Sequence, residues 1–399
     1  MSSIFVPILL ANMPVSVYAG WNLAPPRAVE RVAMNELLPD IYVIKERGAL
    51  GAFKPEINIY VLAGHDGLVF DAGYGNSAAV RHLVRELGAI GQRFRLQGRP
   101  FSVRRVLVSH AHPDHFPGLG ALRAELGLRI LLSARTAGAI RSVENFYGSF
   151  DADDEADFLA RRGPVGRVRG SIRKALFHRF YRRLYGLNFV SDPDELLPDT
   201  AELSINGELW QVFPSPGHAS DHISLYSPRR GVLFSGDNVL RSVTTWLGPP
   251  NSDLEAYIDS LERMLDLPKL EVVLPSHGSP VTNPRERIRE IIDFRRRRTL
   301  EVYEVLRAHN EGANIDQVIR ALYAGEGRFK HKMARGWVAL TLRFLESKGL
   351  AERTETRREI RFHAATGASV SDIYGRPKNP FFSGGVKKNL RSGAGRKRP

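Results

Sequence analysis

The sequence predicts an α/β protein: two mixed sheets covered by helices, followed by a helical C-terminal module. Three observations carry this expectation. Short β-branched runs recur with few helical runs between them, several apolar strands end on a charged or imidazole side chain, and helical periodicity takes over after Pro284.

Residues 1–35 form an N-terminal extension. Its start, "MSSIFVPILLANMPVSVYAGW", is apolar, but it has no leading Lys or Arg and is broken by Pro7 and Pro14, so packing is expected in preference to a signal peptide. The main domain is expected over 36–285. "DIYVIKE", "INIYVLAG", "GLVFDAG" and "VRRVLVSH" read as strands, with the helix "SAAVRHLVRELGAIG" between the last two. "LGALRAELG" and "RILLS" then read as a helix and a strand. Residues 133–200 are expected to be a mostly helical insertion or lid. From Arg161 to Arg183 it holds nine Lys or Arg and no acid, with Phe177, Phe180, Tyr181 and Tyr185 among or beside them. Strands resume at "GELWQVFPSP", "ISLYSP", "GVLFSGD" and "EVVLPS", the last two separated by the helix "SDLEAYIDSLERMLDL".

Residues 286–364 read as a linker helix and a module of helices closed by a small hairpin, "LAERTETRREIRFHA". That order is the order of a winged helix, placed at 299–364. The run Arg295–Arg298 is expected to be a solvated linker face. Residues 365–399 form a basic tail whose Gly-rich, aliphatic-poor composition is that of disorder.

The formal net charge is +14, and about half of that excess lies in residues 366–399, which hold eight Lys or Arg against one Asp. With no cysteine in the chain, disulfides, thiolate metal sites and cysteine nucleophiles are excluded, and a cytoplasmic location is compatible. No run reaches the roughly 20 apolar residues of a membrane span.

The chemistry concentrates in "VSHAHPDHFPGL". His110, His112, Asp114 and His115 lie on a loop leaving a strand, where side chains can converge. Neutral imidazole and carboxylate are ligands for Zn²⁺, Fe²⁺ or Mn²⁺. Further polar residues end other strands: Asp71 in "LVFDAG", His218 in "SPGHASDH", Asp237 in "LFSGD" and His277 in "LPSHG". Burying such groups costs free energy unless metal or hydrogen bonds compensate. His222 reads as a hydrogen-bonded support, and His65 and His178 as surface residues.

This series, HxHxDH followed by Gly-His, an Asp and a final His, resembles the metallo-β-lactamase superfamily over about residues 38–285. The resemblance implies a four-layer αββα sandwich with a binuclear centre. His110, His112 and His218 would hold one divalent metal, Asp114, His115 and His277 a second, and Asp237 would bridge them. Asp71 would orient ligands. Zn²⁺ is the first expectation, with Mn²⁺ or Fe²⁺ as alternatives. The implied reaction is hydrolysis by a metal-activated hydroxide, with Asp114 and Asp237 as catalytic residues. Asp114-His115, with no cysteine, resembles the broad hydrolase branch and disfavours antibiotic hydrolysis.

A lactamase-like domain followed by a winged helix resembles the lactamase-β-like group, which includes single-strand endoribonucleases and carrier-protein thioesterases, with glyoxalase II as a distant relative. The expected substrate is an ester or thioester, acyl-CoA or acyl-carrier in type, with Phe146, Tyr147, Arg173, Lys174 and Tyr181 as candidate binding residues. The alternative is endoribonuclease activity on single-stranded RNA, with the helix at 331–348 as reader, although that helix is as apolar as it is basic. A non-catalytic binding module is the remaining reading, disfavoured because all the ligand positions are filled. The oligomeric state is left open.

Overall fold

The computed structural model describes residues 35–48, 54–150, 176, 178–356 and 359–367. The predicted N-terminal extension up to residue 34, Arg173, Lys174, Phe177 and the basic tail from residue 368 lie outside the described residues.

Two sheets form the centre. The first has seven strands in chain order: β1 (Glu36–Leu38), β2 (Ile41–Glu46), β3 (Ile57–Leu62), β4 (Gly67–Phe70), β5 (Val103–Leu107), β6 (Arg129–Ser133) and β7 (Glu195–Leu197). Neighbours are antiparallel up to β4 and parallel from β4 to β7. The second sheet contains β8 (Ala201–Ile205), β9 (Glu208–Pro214), β10 (Ile223–Ser227), β11 (Val232–Gly236) and β12 (Val272–Pro275), antiparallel except for the parallel pair β11–β12. Carboxyl ends of parallel strands are where α/β proteins place ligands. β4, β5, β11 and β12 lead there into Asp71, His110, Asp237 and His277.

Alternation along the strands builds the layers. In β2, Ile41 and Val43 face the core between the sheets, where they join Phe70, Leu107, Trp210, Leu225 and Phe234. Tyr42 and Ile44 face outward, onto helix α1 (Ser77–Leu96) and helix α2 (Leu119–Leu126). α1 presents Leu83, Leu87, Ile90 and Phe94 to that layer, and its start is capped by Asn76, whose side chain accepts from Ala79 N. The outer face of the second sheet, Tyr226, Leu233 and Val273, is covered by helix α5 (Leu254–Leu265). Helix, sheet, sheet and helix layers therefore follow in the expected order.

The insertion holds helix α3 (Ala134–Ala139), helix α4 (Val143–Phe150) and a further helical stretch ending at residue 185. It is not helical to its end: β7 returns to pair parallel with β6 and becomes the edge of the first sheet. Phe146 is also corrected from a candidate substrate residue to a core residue. It is 2% exposed and packs against Phe116, Tyr147 and Phe189.

After the second sheet come helix α6 (Pro284–Arg307), helix α7 (Ile315–Leu322), helix α8 (Arg328–Ser347) and the hairpin β13 (Ala351–Glu355) and β14 (Ile360–Ala364). Their apolar residues, among them Ile288, Val302, Val338, Leu342, Leu345 and Phe362, belong to the same core as α5 and the outer face of the second sheet. The helix considered as a nucleic-acid reader is thus largely committed to packing.

The arginine run is corrected too. Arg295 is buried, donates to Thr245 O and lies over the Tyr257 ring at 5.7 Å. Arg296 pairs with Glu262 at 2.5 Å, and Arg298 stacks over Trp337 at 4.6 Å, leaving Arg297 as the exposed member. α6 packs against both α5 and α8, so the arginine stems cover apolar surface while their heads find acceptors.

Candidate metal centre

Four loops bring the expected residues together. His110, His112, His218 and Asp237 form one group with donor atoms within 4.8 Å of one another, and Asp114, His115 and His277 form a second. The groups adjoin. Asp237 Oδ2 lies 3.3 Å from His218 Nε2, while its Oδ1 lies 3.4 Å from His277 Nε2 and 3.6 Å from His115 Nε2. Asp237 therefore stands between them.

The far nitrogen of each of several histidines is held by an acceptor. His115 Nδ1 meets Asp71 Oδ2 at 2.9 Å, His218 Nδ1 meets Trp246 O at 2.8 Å, and His277 Nδ1 meets Glu56 O at 2.6 Å. Such contacts fix the tautomer and turn Nε2 inward, which is how metal-ligating histidines are oriented. His110 Nδ1 lies 2.9 Å from Ser109 Oγ.

Asp71 organises the loops. Its backbone is left-handed, at φ 68°, an uncommon and strained conformation for a side chain other than glycine. Its Oδ1 accepts from Ser109 N at 2.8 Å, and its Oδ2 accepts from Ser276 Oγ at 2.8 Å while contacting His115. One carboxylate thereby joins the loops after β4, β5 and β12.

Buried atoms are left without hydrogen bonds. His110 Nε2, His115 Nε2 and Asp237 Oδ1 have no hydrogen-bond partner among the described residues. Orphaned polar atoms at such depth are expensive unless something else satisfies them. Three of them converging with mixed imidazole and carboxylate donors fit a divalent cation.

The charges agree with this. Burial, helped by neighbouring histidines, keeps His110 and His112 well below the usual imidazole range, so both are neutral imidazoles, the form a metal would require. Burial opposes ionisation of Asp114, but His115 and His277 outweigh it and bring the carboxyl down to about 2. Burial likewise opposes the charge on His115, and Asp71, Asp114 and Asp237 together outweigh it, raising that group to about 10. Carboxylates thus supply the counter-charge that a cation would share.

His222 is a support: Nδ1 lies 2.8 Å from Ser215 Oγ, and Nε2 accepts from Asp237 N at 3.2 Å. Gly236 makes room for it, since a Cβ there would lie 2.4 Å from His222 Nε2. His65 is exposed, whereas His178 departs from its surface reading by stacking on Tyr147 at 3.5 Å. Tyr147 itself donates to His178 O at 2.9 Å, so it braces the insertion. Tyr181 packs on Tyr185 at 4.7 Å, and burial, together with the nearby Asp114 charge, pushes its hydroxyl pKa up. Sequence reasoning missed Asp221, whose Oδ2 accepts from Ala111 N at 2.7 Å and so pins the loop between His110 and His112. Its place next to His222 was the available signal.

The family model described as "Metallo-beta-lactamase superfamily" matches residues 55–277. A "Beta-lactamase-like protein 2 homolog" of Caenorhabditis elegans is 32% identical over 154 residues, covering 39% of this chain and 50% of the nematode protein. This chain thus spans about half the length of that relative. The "Acyl-coenzyme A thioesterase MBLAC2" of Homo sapiens is 26% identical over 258 residues, 63% of this chain and 82% of the human one. The crystal structure of a metallo-beta-lactamase family protein from Thermus thermophilus aligns with a TM-score of 0.60 at 23% identity, covering 82% of this chain and 99% of its own, a likeness of fold. With a family match running from just before β3 to the last histidine of the site, the chain belongs to the metallo-beta-lactamase superfamily.

Proposed function

We propose that this chain hydrolyses acyl thioesters at a centre of two divalent metal ions, Zn²⁺ being the first candidate. The observation that carries the reading is the convergence of His110 Nε2, His115 Nε2 and Asp237 Oδ1, buried and without hydrogen bonds, within two adjoining donor sets. The thioesterase name of the human relative supports the choice of substrate class. His110, His112 and His218 would hold one ion, Asp114, His115 and His277 the other, and Asp237 would touch both. Such a pair, when bound, lowers the pKa of water and polarises an acyl carbonyl.

The chain's own residues then have definite tasks. Asp71, Trp246 O and Glu56 O hold three imidazoles in the ligating tautomer. Asp221 and Ser109 keep the loop that carries most of the donors in place. Asp114, beside the imidazoles of His115 and His277, accepts a proton from the attacking water and passes it to the departing thiolate. The C-terminal helices and hairpin are proposed as a winged-helix module that backs the second sheet.

The test is direct. The purified chain, loaded with Zn²⁺ or Mn²⁺, is assayed on acyl-CoA thioesters and on a labelled single-stranded RNA, with Asp237→Ala as control and bound metal measured for both proteins. Thioester turnover and about two ions per chain, both lost in the variant, are expected. Cleavage of RNA without thioester turnover would overturn the reading.

A further inference from the structure

The outer face of β2 carries an anomaly. Tyr42 and Ile44 fill the apolar layer under α1, and the next residue of that stripe is Glu46, only 4% exposed. A carboxylate in a position built for an aliphatic side chain is costly. Its Oε2 accepts from Tyr74 N at 3.1 Å, while its Oε1 is buried with no hydrogen-bond partner among the described residues. Room for it is reserved by Gly73, at φ 64°, where a Cβ would lie 2.3 Å from Glu46 Oε2.

Glu46 lines a cavity of about 380 Å³ together with Arg47, Lys54, Asn76, His82 and Arg85. That volume is in the range of small-molecule sites, about 300–1,000 Å³. The cavity lies at the N-terminus of α1, a 20-residue helix whose dipole favours anions there. Lys54 Nζ sits over the Tyr74 ring at 4.1 Å, and Arg47 is exposed. Arg85 is 64% exposed and touches Glu86 at 3.5 Å and His82 at 2.7 Å.

The lining decides what fits. A plain cation would be repelled by the basic rim, and a plain anion would meet the carboxylate at depth. The ligand must therefore carry an anionic end and, a few ångströms on, an N–H or O–H donor. Tyr74, whose N–H Glu46 accepts, packs on Tyr185 at 5.4 Å, and Tyr185 packs on Tyr181 at 4.7 Å.

We propose that this cavity holds the phosphate end of a phosphopantetheine thioester, with Arg47, Lys54 and Arg85 on the phosphate and Glu46 accepting from a hydroxyl or amide of the arm. This rests on the thioesterase reading above and adds the handle by which the substrate is gripped. The shared chemistry, a phosphate followed by hydroxyl and amide groups, occurs both in coenzyme A and in the arm of an acyl carrier.

The experiment separates the cavity from the reaction. The full chain, loaded with Zn²⁺, is titrated calorimetrically with adenosine 3′,5′-bisphosphate and, separately, with 4′-phosphopantetheine, in the original form and as Lys54→Ala/Arg85→Ala and Glu46→Gln. Binding of at least one probe is expected, weakened about tenfold by the double substitution, as for the loss of a charge-assisted contact. Binding of the bisphosphate identifies coenzyme A as the source, and binding of phosphopantetheine alone identifies the carrier arm. Glu46→Gln is expected to weaken phosphopantetheine and leave the bisphosphate unaffected. In parallel, kcat/KM is measured for an acyl-CoA and for the same acyl group on N-acetylcysteamine, which has no phosphate. The ratio of the two should fall about tenfold in the double variant. Failure of the original protein to bind either probe, or an unchanged ratio, overturns the cavity proposal. Probe binding that responds to the substitutions in a protein without thioester turnover would overturn the reaction and leave the cavity standing.

Discussion

The two sheets are built on one plan and finished differently. Each contains antiparallel and parallel pairs, and each sends polar residues from the carboxyl ends of parallel strands, with His218 added from the loop after antiparallel β9. The first sheet is roofed by α1 and α2, which lie next to its strands in the chain. The second is roofed by α5 and by helices and a hairpin that follow His277 in the chain. Donor placement thus comes from strand ends alone, while the cover can come from any part of the chain. The roofs also hide opposite charges, Glu46 under the first and Arg295 under the second.

The largest expected effect breaks the second roof. Val338→Asp places an unpaired charge in a fully buried position and should cost about 3–5 kcal/mol. Urea unfolding should remain one transition, seen alike by circular dichroism and tryptophan fluorescence. An early separate transition would show that the C-terminal module folds apart from the second sheet.

The next effect compares what each sheet sends to the centre. Asp237→Ala removes a group that touches both donor sets, and hydrolysis should fall by about 10³ with loss of bound metal. Asp71→Asn leaves every donor in place and should weaken metal binding about 10–100-fold. Equal losses in a competition with a chelating dye would contradict the division between ligand and brace.

Glu46 gives a pH-dependent test of the first roof. Burial, eased in part by Tyr74 N and Lys54, raises its carboxyl to about 7 from 4.5. A folded pKa above the unfolded one means no penalty below about pH 4.5 and a growing one as pH rises through 7. Glu46→Gln should therefore stabilise the protein by about 1–3 kcal/mol at pH 8 and leave it unchanged at about pH 4. Thermal unfolding at the two pH values decides it, and equal shifts at both would refute the burial account.

The smallest effect concerns the second roof again. Arg298→Ala should cost about 1 kcal/mol through its lost stacking on Trp337, and Arg297→Ala close to nothing. Chemical denaturation of the two variants resolves the difference.

The candidate donors were legible because each cluster of them follows an apolar run at the point where a strand stops, a local pattern that survives without the fold. The sandwich was legible for the same reason. Glu46 was not, because a charged last residue of "DIYVIKE" looks like an ordinary strand end until α1 is laid across it. The arginine run misled because its acceptors and rings, Thr245, Glu262 and Trp337, come from distant segments. Phe146 has the composition of a channel lining and the contacts of a core residue. A strand as short as β7 offers too few residues to set a period against the helices before it.

The grip of Glu56 O on His277 Nδ1 spans 221 residues, and Asn58 Nδ2 reaches Gly278 O across 220. On a ribosome the "HAHPDH" loop emerges early and waits for its last partner. At about 5–20 residues per second, the interval between His115 and His277 amounts to roughly 10–30 s. The second donor group, Asp114, His115 and His277, is therefore complete only once His277 docks against the start of β3.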